Sequence, residues 1–218
     1  MKSEISNLKF KQPRIYPITD ESISGISHAV QVERLIAAGA EVIQLREKFA
    51  DSRTFFESSV KVLEFARDRG VKIIINDRVD IALAAKADGV HLGQNDLPPE
   101  KARDILGKQA IIGFSTHSVG QAVLAMRMPI DYIAIGPIFP TDSKEKADAV
   151  VGLKGLREVR DIIRDFPLVA IGGINADNLV SVFEAGADSV AMIGAIVSDP
   201  ENIDVRMRVF TELALRFC

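Results

Sequence analysis

Residues 168–194 read LVAIGGINADNLVSVFEAGADSVAMIG. Leu168–Ile171 is a short apolar run that stops at Gly172-Gly173. A run of that length without polar alternation reads as a strand buried on both faces, as in parallel sheets. Asn178–Ala185 then carries helical spacing, Gly186 ends it, and Ser189–Ile193 is a second apolar run, closed by Gly194. The stretch is one strand–helix–strand unit.

Working outward, its joint Ala185-Gly186-Ala187-Asp188 recurs as Ala38-Gly39-Ala40-Glu41 and as Lys86-Ala87-Asp88-Gly89, each before a short apolar run. Glycine at such a joint is expected to end a helix in the left-handed conformation. Further strands are expected at Arg14–Thr19, Glu41–Arg46, Lys72–Asn76, Gly89–Leu92, Ala110–Ser115 and Tyr132–Gly136. Further helices are expected at Ser27–Ala38, Asp51–Arg69, Pro98–Leu106, Gly152–Asp165 and Asp204–Phe217. An open doubly wound sheet would place a glycine-rich turn after its first strand; here Thr19-Asp20-Glu21-Ser22 stands there. The chain of 218 residues matches the roughly 200–250 residues of a closed α/β barrel. The expectation is one (β/α)8 TIM barrel over residues 1–218, with a short N-terminal extension at about 1–13 and no linker.

Hydrophobic residues make up 47 % and charged residues 26 %, which sets aside disordered, collagen-like and coiled-coil classes. The net charge is −3 with no basic stripe, so a nucleic-acid partner is not expected. Anionic substrates would need cations concentrated locally. The lone cysteine, Cys218, is the last residue and reads as an exposed terminal thiol. Residues 1–14 interleave Lys2, Glu4, Lys9 and Lys11 with apolar residues, unlike a secretory signal. No run approaches a membrane span. A cytoplasmic location is expected; oligomeric state is not set by the sequence.

Active sites of this fold form at the C-terminal ends of the strands. There the sequence places Gln44-Leu45-Arg46-Glu47-Lys48, Asn76-Asp77-Arg78, Gly93-Gln94-Asn95-Asp96 and Ser115-Thr116-His117. Later strands are followed by Thr141, Ser143 and Lys144, by Gly172-Gly173 and by Gly194-Ala195. Asp77 and Asp96 offer the hard oxygens that Mg²⁺ takes beside waters and phosphate oxygens; each alone reads equally as a helix cap. Arg46, Lys48 and Lys144 could hold a diphosphate. Gly172-Gly173 and Gly194 match the usual barrel phosphate site. Of the histidines, His28 is expected at the surface, His91 packed inside the barrel, and His117 at the rim, orienting a neighbour or touching substrate.

Seven motifs in order carry a resemblance over nearly the whole chain: Tyr16–Asp20, Gln44–Lys48, Asn76–Asp80, Ala87–Gln94 with Asp96, Gly113–His117, Gly136–Thr141 and Ala170–Ile174. They resemble the thiamine phosphate synthase (thiamine-phosphate pyrophosphorylase) family. The resemblance implies a transferase that condenses 4-amino-2-methyl-5-(diphosphooxymethyl)pyrimidine with a thiazole phosphate, giving thiamine phosphate and diphosphate with Mg²⁺ assistance. It implies that Gln44, Leu45, Arg46, Glu47, Lys48, Asn76, Ser115 and Lys144 bind the pyrimidine diphosphate. Thr141, Asp142, Ser143, Gly173, Ile193 and Gly194 would bind the thiazole phosphate, and Asp77 and Asp96 the Mg²⁺.

The family usually has serine where Gly194 stands, and threonine where Ser143 stands; Glu145 and Lys146 add charge to the same loop. Rival readings are a thiazole tautomerase on the same barrel, with His117 as its base, a sugar-phosphate epimerase or isomerase, and a non-catalytic ligand-binding barrel. The second would need a facing acid and base, and no such pair stands out.

Overall fold

The computed structural model describes residues 12–141 and 149–216. Its strands are β1 (Ile15–Asp20), β2 (Val42–Arg46), β3 (Lys72–Asn76), β4 (Gly89–Leu92), β5 (Ile111–Thr116), β6 (Tyr132–Ile135), β7 (Leu168–Ile171) and β8 (Ser189–Met192). Each pairs in parallel with the next, and β8 closes onto β1. The helices are α1 (Glu21–Ser24), α2 (His28–Ala37), α3 (Ser52–Arg67), α4 (Val79–Ala85), α5 (Pro99–Leu106), α6 (Val119–Ala125), α7 (Gly152–Ile163), α8 (Leu179–Glu184), α9 (Gly194–Val197) and α10 (Ile203–Leu215). The expected (β/α)8 barrel is present, and every expected strand falls within a residue of its observed span. Of the expected extension at about 1–13, residues 1–11 lie outside the described residues.

The strands are apolar on both faces because each face packs against a different layer. Tyr16, Ile18, Val42, Ile74, Ile111, Tyr132, Ala134, Val169 and Ala191 fill the barrel interior. Alternate residues such as Ile43, Leu45, Ile73, Ile75, Ile133 and Ile135 pack outward into the second cluster with the helices.

The recurring joints work by two devices. Gly39 and Gly186 take positive φ, as expected. At the third joint the left-handed residue is Lys86. Gly89 instead lies in β4, where a Cβ would come within 1.9 Å of the Ile111 carbonyl oxygen. The acidic residue before a strand also has work to do. Asp88, Asp131 and Asp188 accept from the backbone N–H of Ile73, Ile112 and Leu168 at 2.9, 2.8 and 2.8 Å, tying each strand entry to its neighbour.

Short α1, α6 and α9 were not anticipated, because four to seven residues show too little of a 3.6-residue period. Local caps hold two of them. Asp20 accepts from Ser22 and Ile23 at the start of α1, and Ser118 accepts from Gln121 at the start of α6.

Candidate active site

The β1–β2 register sets Asp20 opposite Arg46. Asp20 is buried; one carboxylate oxygen caps α1 and takes the Ser22 hydroxyl at 2.6 Å, and the other pairs with the Arg46 guanidinium. A charged group bonded this way is aimed as well as neutralised. Asp20 closes the Tyr16–Asp20 motif, and the motif by itself assigns it no role. The signal was its parity, since residues 16, 18 and 20 share one face of β1.

Beyond β2, Lys48 pairs with Asp77. Asp77 stands at φ 63, a left-handed conformation, and donates its own N–H to the His91 carbonyl at 2.8 Å. Asp96 accepts from Gly93 N–H at 2.6 Å. Neither carboxylate caps a helix: the N-cap positions of α4 and α5 are Arg78 and Pro98, and neither helix has a side-chain cap. Burial pushes the Asp96 carboxyl up, the neighbouring Asp77 carboxylate adds to that, and the Gly93 N–H and the Lys48 ammonium pull against it. The two acids therefore converge. Among the described residues no group of three or more His, Cys, Asp or Glu is placed to hold a metal. Two carboxylates completed by water and phosphate oxygens suit Mg²⁺, which seldom takes an all-protein cage.

Below the rim, Asn76 and Ser115 lie on β3 and β5, and Gln44 on β2. The Asn76 amide nitrogen is buried and has no hydrogen-bond partner, an expensive condition that a bound ligand would relieve. Leu45 is fully buried in the outer cluster, so only its backbone can reach the rim. Glu47 accepts from Phe49 and Ala50 N–H at 2.7 and 3.0 Å. Burial raises its pKa, but those N–H groups and His28 bring it down on balance. Its carboxylate shapes the loop. His28 is not at the surface: it is 1 % exposed, bonded to Thr19 at 2.7 Å and 3.6 Å from Glu47. It belongs to the buried face of α2, which its sequence neighbourhood disguised. His91 is packed inside the barrel, as expected. His117 donates from Nδ1 to the Gly136 carbonyl at 2.7 Å, and its N–H bonds Gln121 at 2.6 Å.

The opposite side of the rim is made of backbone. Gly172 and Gly173 take positive φ after β7. A Cβ on Gly173 would lie 2.4 Å from the Pro140 carbonyl oxygen and 2.7 Å from Phe139. Ile138 and Phe139 donate to Ile171 and Gly172 at 2.9 and 3.0 Å, seating the chain after β6 on the glycine turn. The next helix starts only at Leu179, so no dipole follows this turn directly. Ile193 and Gly194 lead straight into α9. Thr141 ends the described part of the loop; Asp142, Ser143, Lys144, Glu145 and Lys146 lie outside the described residues, as does Cys218.

A family model described as thiamine monophosphate synthase matches residues 15–196. The chain belongs to this family. It is 45 % identical over 186 residues to the thiamine-phosphate synthase of Chloroflexus aurantiacus, covering 85 % of each chain. It is 46 % identical over 188 residues to that of Methanocella arvoryzae, covering 86 % of this chain and 88 % of the relative. The solved thiamine phosphate pyrophosphorylase from Pyrococcus furiosus superposes with a TM-score of 0.86 at 34 % identity, over 97 % of this chain and 99 % of that one. Among the described residues no helix is long and apolar enough to cross a membrane.

Proposed function

We propose that the chain is a transferase that makes thiamine phosphate from the aminopyrimidine diphosphate and a thiazole phosphate. The observation that carries this reading is the pairing of converging Asp77 and Asp96 with Arg46 and Lys48 on one side of a rim whose other side is glycine backbone. Family membership supplies the reaction. The rivals, tautomerase and binding protein, leave the acidic pair without a task.

Arg46, aimed by Asp20, and Lys48 bind the diphosphate oxygens. Asn76, Gln44 and Ser115 seat the aminopyrimidine, and Asn76 donates its unpaired amide. Thr141, Gly173, Ile193 and Gly194 form the thiazole phosphate cup; the family resemblance assigns Asp142 and Ser143 to the same phosphate and Lys144 to the diphosphate. Asp77 and Asp96 would hold Mg²⁺, which supplies charge neutralisation of the leaving diphosphate. The bond from the exocyclic methylene carbon to the diphosphate oxygen breaks, and the electron pair leaves with diphosphate. The electron-rich aminopyrimidine carries the positive charge, and the thiazole nitrogen bonds that carbon. No proton transfer is required of the protein, so a side-chain acid–base pair is not needed. Catalysis rests on leaving-group electrostatics and on holding two reactants in line.

The test is product formation from the two substrates, followed by mass spectrometry with Mg²⁺ and with a chelator, in the native chain and in Asp77→Asn. Asparagine tolerates the left-handed backbone at this position, so a loss reports charge, not strain. Thiamine phosphate from the native chain with Mg²⁺ alone supports the reading. No product from the folded native chain with both substrates overturns it.

A further inference from the structure

We propose that Tyr16, Tyr132 and His91 are positioning residues, forming a one-way hydrogen-bond chain across the barrel interior that leaves the Ser115 hydroxyl as a donor to the pyrimidine substrate. This rests on the reading that Ser115 and Gln44 contact that substrate. Four contacts make up the chain. Gln44 Nε2 donates to Tyr16 Oη at 3.1 Å. Tyr16 Oη lies 3.2 Å from Tyr132 Oη. Tyr132 Oη lies 2.9 Å from His91 Nδ1, and His91 Nε2 lies 2.8 Å from Ser115 Oγ.

The polarity starts at the Gln44 amide. An amide nitrogen only donates, so Tyr16 accepts from Gln44, and in the proposed chain its own proton goes on to Tyr132. Tyr132 then passes its own proton to His91 Nδ1. A neutral imidazole that accepts at Nδ1 carries its proton on Nε2. His91 therefore donates to Ser115 Oγ, and the serine proton is left for the ligand. Burial pushes the Tyr16 phenol up to about 12, against the pull of Tyr132 and Gln44, and burial with Tyr16 beside it raises the Tyr132 phenol well above its ordinary value, so both keep the proton this relay needs.

The fold has been shaped around this chain. A Cβ on Gly113 would fall 2.0 Å from Tyr132 Cζ, so glycine opens the space the phenol occupies. Tyr16 meets the Tyr132 ring edge-on at 6.0 Å, and His91 stacks on it at 5.5 Å. Gln94 Nε2 holds the Ser115 carbonyl at 2.6 Å, fixing the far end. Buried hydroxyls could satisfy one another anywhere in a core. This set instead runs between two residues of the proposed substrate site, on β2 and β5.

Nitrogen-15 NMR of the ligand-free full chain, labelled at histidine, reads the His91 tautomer. The expected result is a proton on Nε2 and none on Nδ1; a proton on Nδ1 overturns the proposal. Gln44→Glu, in mildly alkaline solution, replaces the terminal donor with an acceptor. It should reverse each bond and move the His91 proton to Nδ1, and an unmoved tautomer in that folded variant overturns the proposal. Should Gln44→Glu fail to fold, Tyr16→Phe removes the source of polarity, and the expected result is a mixture of tautomers in place of one. In turnover, Tyr16→Phe and Ser115→Ala should each raise KM for the pyrimidine diphosphate about tenfold, with KM for the thiazole phosphate unchanged. The double variant should be no worse than Ser115→Ala, because the two act on one interaction; effects that multiply overturn the link. An unchanged KM in Ser115→Ala removes Ser115 from the substrate site and sinks the functional half of the proposal. The tautomer, read without substrate, shows separately whether the polarity stands.

Discussion

The rim after β1–β4 holds its groups through charged side chains, whereas the rim after β7 and β8 presents backbone at glycine turns. Asp20 with Arg46 and Lys48 with Asp77 are carried on adjacent strands and locked in ion pairs. Gly173 offers no side chain at all, and its value lies in a backbone at φ 65 pressed against Pro140 and Phe139. On the proposed reading, the difference separates two ways of binding a phosphate. A side-chain pocket fails when charge is removed, while the fold survives. A backbone pocket fails when bulk is added, and fold and site suffer together.

The largest effect is expected on the charged side. Asp77→Asn removes one of two converging carboxylates and leaves backbone and packing in place. A single electrostatic group acting on a developing charge is worth on the order of 10²–10³ in rate, so kcat should fall by that factor with Tm little changed. Steady-state turnover beside a thermal melt decides it. A loss of Tm matching the loss of rate would erase the contrast between the two halves.

Gly173→Ala is the counterpart. Alanine would be left-handed and would overlap the Pro140 carbonyl oxygen. Overpacking of this kind costs about 1–3 kcal/mol, so Tm should fall, and KM for the thiazole phosphate should rise while KM for the pyrimidine diphosphate holds. A denaturant melt with both KM values measured tests it; an unchanged Tm would show the turn to be looser than its geometry.

These two halves also differ in how much of them the sequence discloses. Arg46, Lys48, Asp77 and Asp96 are chemically distinct residues at strand ends, so a correct strand assignment is enough to find them. The strands themselves were found because Leu168–Ile171 and its counterparts are apolar without alternation. The partners of those side chains were not legible. That Asp20 holds Arg46, or that Tyr16 reaches Tyr132, depends on register between β1 and β2 and on contact across the barrel. Parity puts Tyr16 and Asp20 on one face of β1, but no local pattern names the partner of either. The burial of His28 is hidden for the same reason: one polar residue on a helix shows its burial only once Thr19 and Glu47 are packed against it.

A smaller effect, of opposite sign, is expected from Asp96→Asn. The folded Asp96 carboxyl is raised above its ordinary value by burial and then by Asp77. The folded state therefore binds a proton more tightly than the unfolded one, and stability falls as pH rises between the two pKa values. Above that window, ionised Asp96 opposes folding when no metal is bound. Asp96→Asn keeps an acceptor for the Gly93 N–H and removes the charge. It should stabilise the metal-free protein at neutral pH, by less than about 1 kcal/mol for so open a site. The gain should vanish in acid, below the unfolded pKa. Added Mg²⁺ should raise Tm in the native chain and not in the variant. Melts across pH, with and without Mg²⁺, would expose an error if the variant were less stable throughout.

The smallest effect separates the halves most finely, because it adds a side chain to the backbone side without bulk. Gly194 opens α9 at an ordinary φ, and a Cβ there would meet nothing within 4 Å. Gly194→Ser is therefore free of the strain that Gly173→Ala suffers, and its hydroxyl would stand at the lip of the proposed thiazole phosphate cup. A hydrogen bond to a charged group is worth about 1.5–3 kcal/mol, part of which the backbone N–H already supplies. KM for the thiazole phosphate should fall by about tenfold or less, with kcat and KM for the pyrimidine diphosphate unchanged. Glycine in the first turn of a four-residue helix also adds backbone entropy to the unfolded chain, so serine should raise Tm slightly. A higher Tm with an unchanged KM would mean that the position serves the helix and not the phosphate. A lower KM would show that a backbone cup can be improved by one well-placed hydroxyl.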